Sequence, residues 1–311
     1  MAPKIPVIID CDPGHDDALA LIMALASDKL DVRAVTVTGG NQTLAKTLNN
    51  AKRILSYIGK RPLLARGADK PMFRELTIAP QVHGDSGLDG PVIPQADYPV
   101  EPLPAVDLMR RIIAESPAPV TLLATGPLTN LGILLTAYPE VRSQVGRISL
   151  MGGGLGGGNW TSAAEFNILV DPEAAAIVFS SGLPITMCPV DVTHKAMIMR
   201  SEVEALRAQG GRVSVFAAEL IDFFFKFHTA QGFPGAPLHD PCAAAWLIAP
   251  ELFTVQDLSV TVETRGEHTT GMTLADRRPW SGAKPNVSVC LDVKREELIR
   301  LLARCCAAYG D

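Results

Sequence analysis

The sequence predicts an α/β fold: one domain over residues 1–311, with a doubly wound, mainly parallel sheet and helices on both faces. Three observations predict it. Short apolar runs rich in β-branched residues alternate along the chain with segments of helical period. The polar clusters capable of chemistry fall where such a run ends or the next helix begins, which is where open α/β sheets bind ligands. And 311 residues, 47% of them hydrophobic, suffice for one large core.

The first element sets the theme. Residues 7–9 are β-branched behind Pro6 and read as a buried strand, Pro13-Gly14 reads as the turn that ends it, and residues 18–26 as a helix. Asp10, Asp12, Asp16 and Asp17 place four carboxylates within eight residues. Side-chain alternation puts Asp10 and Asp12 on one strand face, and Asp16 and Asp17 fall in the first helical turn, so all four can converge. Singly, each is an ordinary helix-capping or solvated acid. Together they repel unless a hard cation such as Ca²⁺ or Mg²⁺ neutralises them. The spacing is not an EF-hand, since Leu21 stands where its bidentate glutamate belongs.

Residues 32–38 form the second strand, Gly39-Gly40-Asn41 its exit turn, and 43–58 a helix ended by Gly59. After a short strand at 62–65, residues 67–102 are rich in Pro and Gly and weak in period. They include His83-Gly84-Asp85-Ser86-Gly87-Leu88, and a loop of this length carrying His and Asp reads as an active-site lid. A helix at 105–115 and a strand at 120–124 lead to Thr125-Gly126-Pro127-Leu128-Thr129-Asn130, where Thr125 serves as a cap or offers its carbonyl to a cation. A strand at 147–151 precedes a glycine run, 152–158, that lacks the helix of a dinucleotide site and the Lys-Ser/Thr of a P-loop.

Asn159, Glu165 and Asn167 lie in a polar loop suited to sugar hydroxyls, whereas Asp171 before Pro172 is a helix cap, expected to be worth about 1 kcal/mol. A strand at 183–188 returns the chain to the same rim at Asp191 to Lys195. Ser201 and Glu204 are expected to form a capping box, and 213–229 a longer helix whose phenylalanines are core. His239-Asp240-Pro241 opens another helix, and adjacent His and Asp suit metal ligation or proton transfer as well as capping. Strands at 259–263 and 287–293 and a helix at 295–308 close the domain.

Composition excludes some classes. The formal net charge is −5 with no basic cluster, which leaves no electrostatic footprint for nucleic acid or an anionic membrane. The longest apolar helix, at 18–26, is too short to span a bilayer, and the first residues lack a signal peptide's pattern, so a cytoplasmic enzyme acting on a small polar substrate is expected. The six cysteines have no metal or disulfide spacing, and Cys11 and Cys242, although beside candidate site residues, read as buried packing rather than nucleophiles.

Asp10-Cys11-Asp12-Pro13-Gly14-His15-Asp16-Asp17 resembles the N-terminal signature of the inosine/uridine-preferring nucleoside hydrolases. Four further motifs follow in the family's order: the His83 loop, the Thr125 turn, Asn159 to Asn167, and His239-Asp240. The stretches between them look most like the pyrimidine-preferring bacterial ribonucleoside hydrolases. The resemblance implies Ca²⁺-dependent hydrolysis of the N-glycosidic bond of a ribonucleoside. Asp12, Asp17, Asp240 and the Thr125 carbonyl would be metal ligands, with Asp10 behind them and Asp12 as general base. Asp16, Asn41, Asn159, Glu165 and Asn167 would hold the ribose, while His83 and His239 would face the base as candidates for leaving-group activation. It also implies a homodimer or homotetramer. The chain departs from the pattern at Phe227, where relatives carry tyrosine, and in a shortened segment at 229–232. Two competitors are a haloacid-dehalogenase-type Mg²⁺ phosphatase, which needs a lysine that no motif carries, and a nucleoside-binding module without catalysis.

Overall fold

In the computed structural model, which describes residues 3–310, nine strands form one sheet. They are β1 (Ile5–Cys11), β2 (Leu30–Val37), β3 (Leu63–Arg66), β4 (Val120–Ala124), β5 (Val145–Met151), β6 (Ile185–Cys188), β7 (Phe253–Val262), β8 (Thr273–Asp276) and β9 (Val287–Val293). Their spatial order is β8-β7-β9-β6-β5-β4-β1-β2-β3. Only β7 runs against the others, pairing antiparallel with β9 and β8. The predicted mainly parallel, doubly wound sheet is therefore present, with an antiparallel edge in which the expected strand at 259–263 is the second half of a longer one.

Alternation along β1 feeds two cores. Val7, Ile9 and Cys11 join the cluster covered by helices His15–Ala26, Arg212–Ala230, His239–Ile248 and Arg295–Ala307, whereas Ile8 joins the one under Ala105–Glu115, Thr129–Ala137 and Pro172–Phe179. Chain direction reverses between β1, which leads out to β2 and β3, and β4, which leads to β5 and β6. This is the topological switch point, and a crevice opens there beyond the strands' carboxyl ends. Asp10 lies opposite Ala124 across it, with Thr125 N donating to the Asp10 carbonyl at 2.9 Å.

Two local expectations change. The helix expected to start with a Ser201/Glu204 box begins at Arg200, and Glu202 closes it by accepting from Met199 N at 2.8 Å; Ser201 is already inside the first turn. Asp171 caps Pro172–Phe179 through Ala174 N at 3.0 Å, but it is also fully buried and accepts from Met72 N and Thr129 Oγ1, both at 2.8 Å. It ties the long loop after β3 to two helices. Asp171→Ala should therefore cost about 2–4 kcal/mol of stability, beyond a cap's 1 kcal/mol, because it strands buried donors. A urea unfolding midpoint within the error of the parent would refute this.

Candidate functional site

The four N-terminal acids converge as their spacing implies, and Asp240 joins them from the start of His239–Ile248. All five are buried. One oxygen from each of Asp16, Asp17 and Asp240 lies within 4.8 Å of the others. Asp17 is held by Gly14 N at 3.0 Å, Asn41 Nδ2 at 3.1 Å and Thr125 Oγ1 at 2.7 Å. Asp12 stands beside this trio, outside the closest group. Its Oδ2 accepts from Asn41 N at 2.6 Å, while Oδ1 has no hydrogen-bond partner, and neither does Asp16 Oδ1. A side chain at Gly40 or Gly126 would strike Asp12, with a Cβ 2.1 Å from Oδ2 or 2.4 Å from Oδ1. Asp10, behind them, accepts from Thr36 Oγ1 at 2.6 Å and Asn130 Nδ2 at 2.8 Å.

The electrostatics demand a countercharge. Burial raises the proton affinity of all five acids, Asp10 to about 7, and Asp17 adds to the rise at Asp12 as Asp16 does at Asp240. Among the described residues no salt bridge reaches any of them. Oxygen-only donors, with buried, unpartnered oxygens on Asp10, Asp12 and Asp16, fit a hard divalent cation such as Ca²⁺ and do not fit a soft one.

The ribose candidates border the same crevice. Asn167 Nδ2 donates to the Thr125 carbonyl at 2.8 Å. Glu165 caps its helix through Asn167 N and Ile168 N, also accepts from Gly153 N at 2.9 Å, and is raised by burial to about 7. Asn159 Oδ1 accepts from Phe166 N at 3.0 Å, and the Asn41 amide is turned onto Asp17 and the Asp12 carbonyl. All four, with Asp16, Thr125 and Asp240, line a cavity of about 310 Å³, large enough for a small ligand.

Most of the remaining wall is aromatic, formed by Trp160, Phe166, Phe224, Phe227 and Phe233 with His83, His194, His228 and His239, and Gln231 adds a polar side chain to it. Sequence reasoning reached His83 and His239, placed His194 on the rim within 191–195 only as a supporting residue, and missed His228 and Trp160, whose spacing marks nothing. It also missed His15. His15 Nε2 is 2.7 Å from the Asp89 carbonyl, which can only accept, so in the neutral ring His15 Nδ1 is an acceptor. His83 Nδ1, 3.1 Å away, must then carry the hydrogen; the longer 3.4 Å approach of His15 N cannot compete without setting two lone pairs face to face. His83 thus keeps its other nitrogen as a lone pair. His239 Nδ1 lies 2.7 Å from Thr193 Oγ1. Burial lowers the proton affinity of both histidines. Cys11 and Cys242 are buried thiols with raised pKa values, which suits packing and not attack.

Comparison with known proteins places this geometry. Residues 7–300 match the family model for inosine-uridine preferring nucleoside hydrolases. The pyrimidine-specific ribonucleoside hydrolase RihA of Citrobacter koseri is 52% identical over 309 residues, covering 98% of this chain and 99% of that protein, and RihA of Shewanella woodyi is 52% identical over 308 residues at the same coverage. Among solved structures, a purine-preferring ribonucleoside hydrolase from Gardnerella vaginalis superposes with a TM-score of 0.91 at 29% identity, covering 98% of this chain and 99% of that one. With the sheet, the acids at its switch point and these matches in agreement, the chain belongs to the inosine-uridine preferring nucleoside hydrolase family and is an N-ribosyl hydrolase.

Proposed function

We propose that this hydrolase acts preferentially on the pyrimidine ribonucleosides uridine and cytidine, with Ca²⁺ as its cofactor. The observation that carries the pyrimidine preference is the 52% identity, along almost the whole chain, to enzymes named for that specificity. The sheet does not discriminate, because a purine-preferring enzyme shares it.

Asp12, Asp17, Asp240 and the Thr125 carbonyl would hold the cation, with Asp16 close enough to serve it or a ribose hydroxyl. When bound, Ca²⁺ would offset the acids' repulsion, bind the sugar's hydroxyls and acidify a water. Asn41, beside the acids, and Asn167, Glu165 and Asn159 would orient the ribose. Asp12 is the general base: Asn41 N fixes one oxygen and the other is left to take a proton from the attacking water. The acids together favour positive charge developing on the ribosyl ring as the glycosidic bond breaks. On the leaving side His83 presents a lone pair. That leaves His239, whose Nδ1 lies 2.7 Å from Thr193 Oγ1, as the group that would direct an Nε2 hydrogen at the departing base when the threonine hydroxyl donates to Nδ1. By resemblance we further propose a cytoplasmic homodimer or homotetramer. No helix among the described residues is long and apolar enough to cross a membrane.

Steady-state kinetics test the preference. The kcat/KM values for uridine and cytidine should exceed that for inosine, and an inosine value tenfold above both, a reversal of about 1.4 kcal/mol in transition-state binding, would overturn it.

A further inference from the structure

His228 belongs to none of the motifs that the family resemblance rests on. It sits in the last turn of Arg212–Ala230, buried, and borders the cavity. Its Nδ1 lies 3.0 Å from the Phe224 carbonyl one turn earlier. A carbonyl oxygen can only accept, so the hydrogen of the neutral ring is on Nδ1 and Nε2 is a bare lone pair. Burial lowers the pKa to about 4, which keeps the ring neutral near pH 7. Around it stand Phe224, Phe227 and Phe233, with ring centroids 4.3, 5.3 and 5.6 Å away. Flat apolar rings beside this acceptor, in a cavity that Gln231 and His239 also line, make a pocket for a planar heterocycle with an N–H on its edge. His83 offers a lone pair too, but it is packed on His15 and against Gly14 at the acid end of the cavity, where a Gly14 Cβ would lie 2.6 Å from its Nδ1.

Both pyrimidines carry a donor on the edge remote from the sugar: N3–H in uracil and the exocyclic N4 amino group in cytosine. We propose that His228 is a specificity-determining residue whose Nε2 accepts a hydrogen bond from this N–H edge of the pyrimidine base. The inference rests on the pyrimidine reading above. It gives the enzyme one contact that serves both substrates, because a single lone pair takes a hydrogen from either base. A site built around such an acceptor rejects an analogue that lacks the donor.

The test is a substrate–residue cycle. Cytidine and pyrimidin-2-one riboside, which is cytidine without its amino group, are compared in the parent enzyme, His228→Phe and His228→Gln. Intrinsic differences between the leaving groups cancel in the ratio of ratios. The parent's cytidine preference should exceed that of His228→Phe by about tenfold or more, with part of it restored in His228→Gln, whose amide oxygen accepts. In histidine-labelled parent enzyme the ¹⁵N resonance of His228 Nε2 should move when cytosine is added and stay in place with pyrimidin-2-one, a readout that needs no variant to fold. Ratios equal within twofold, or an Nε2 resonance indifferent to cytosine, would overturn the proposal. A parent enzyme that releases neither uracil nor cytosine would overturn the substrate reading and this inference with it; turnover of both with unchanged ratios overturns this inference alone.

Discussion

Asp12→Ala is expected to lower kcat by about 10⁴-fold or more while the protein stays folded, because one change removes the proposed base and an oxygen beside the metal-binding trio. The loss should not be a disguised stability effect. Removing one of five mutually repelling buried acids relieves strain in the cation-free protein, so its melting temperature should hold or rise. Asp171→Ala is the informative contrast: it should unfold more readily yet keep kcat in its folded fraction. Comparable kcat losses in two folded variants would mean that the catalytic and structural acids have been confused.

Removing divalent cations should abolish base release, and adding Ca²⁺ back should restore it. Elemental analysis of the purified enzyme should find about one Ca²⁺ per chain. Full activity after exhaustive chelation, or zinc in place of calcium, would dispose of the hard-cation reading. Stability adds a second readout. Asp10 has a folded pKa raised to about 7 from an ordinary 3.8, so its contribution is fully present below the unfolded value and is lost as pH rises through 7. Asp12, Asp16, Asp17 and Asp240 shift in the same direction. The chelated protein should therefore lose stability between about pH 4 and pH 8, and Ca²⁺, binding the ionised acids, should raise the melting temperature more at pH 8 than at pH 5.

The interior of the sheet and the acids were legible in the sequence for one physical reason: strands buried on both faces are continuous apolar runs, and several like charges at the end of such a run have few innocent explanations. The antiparallel edge was less so. In the first six residues of β7 the four at 254–257 are exposed between buried Phe253 and Leu258, and β8 is four residues long, so neither carries a clear period. His228 was hidden by its context, a histidine one turn after a phenylalanine in an apolar helix, where only the Nδ1 contact to Phe224 reveals its tautomer. Asp171 was recognised as a cap, but Met72 lies 99 residues away, and nothing local announces that contact.

The catalytic and base-recognition parts reach the crevice from different kinds of support. The acids are mounted on strand ends and the first turns of helices, where a side chain in place of Gly40 or Gly126 would strike Asp12. Phe224, Phe227, His228 and Phe233 of the aromatic wall come from the end of Arg212–Ala230 and the turn behind it, residues that do not hydrogen-bond to any of the five acids. Mutational tolerance should divide along that seam. Exchanges within 223–233 can retune which heterocycle is accepted while bond cleavage persists, so laboratory evolution toward a new nucleobase has an adjustable cassette there, whereas the strand-end positions behave as a fixed chassis in which nearly every replacement is lethal to turnover.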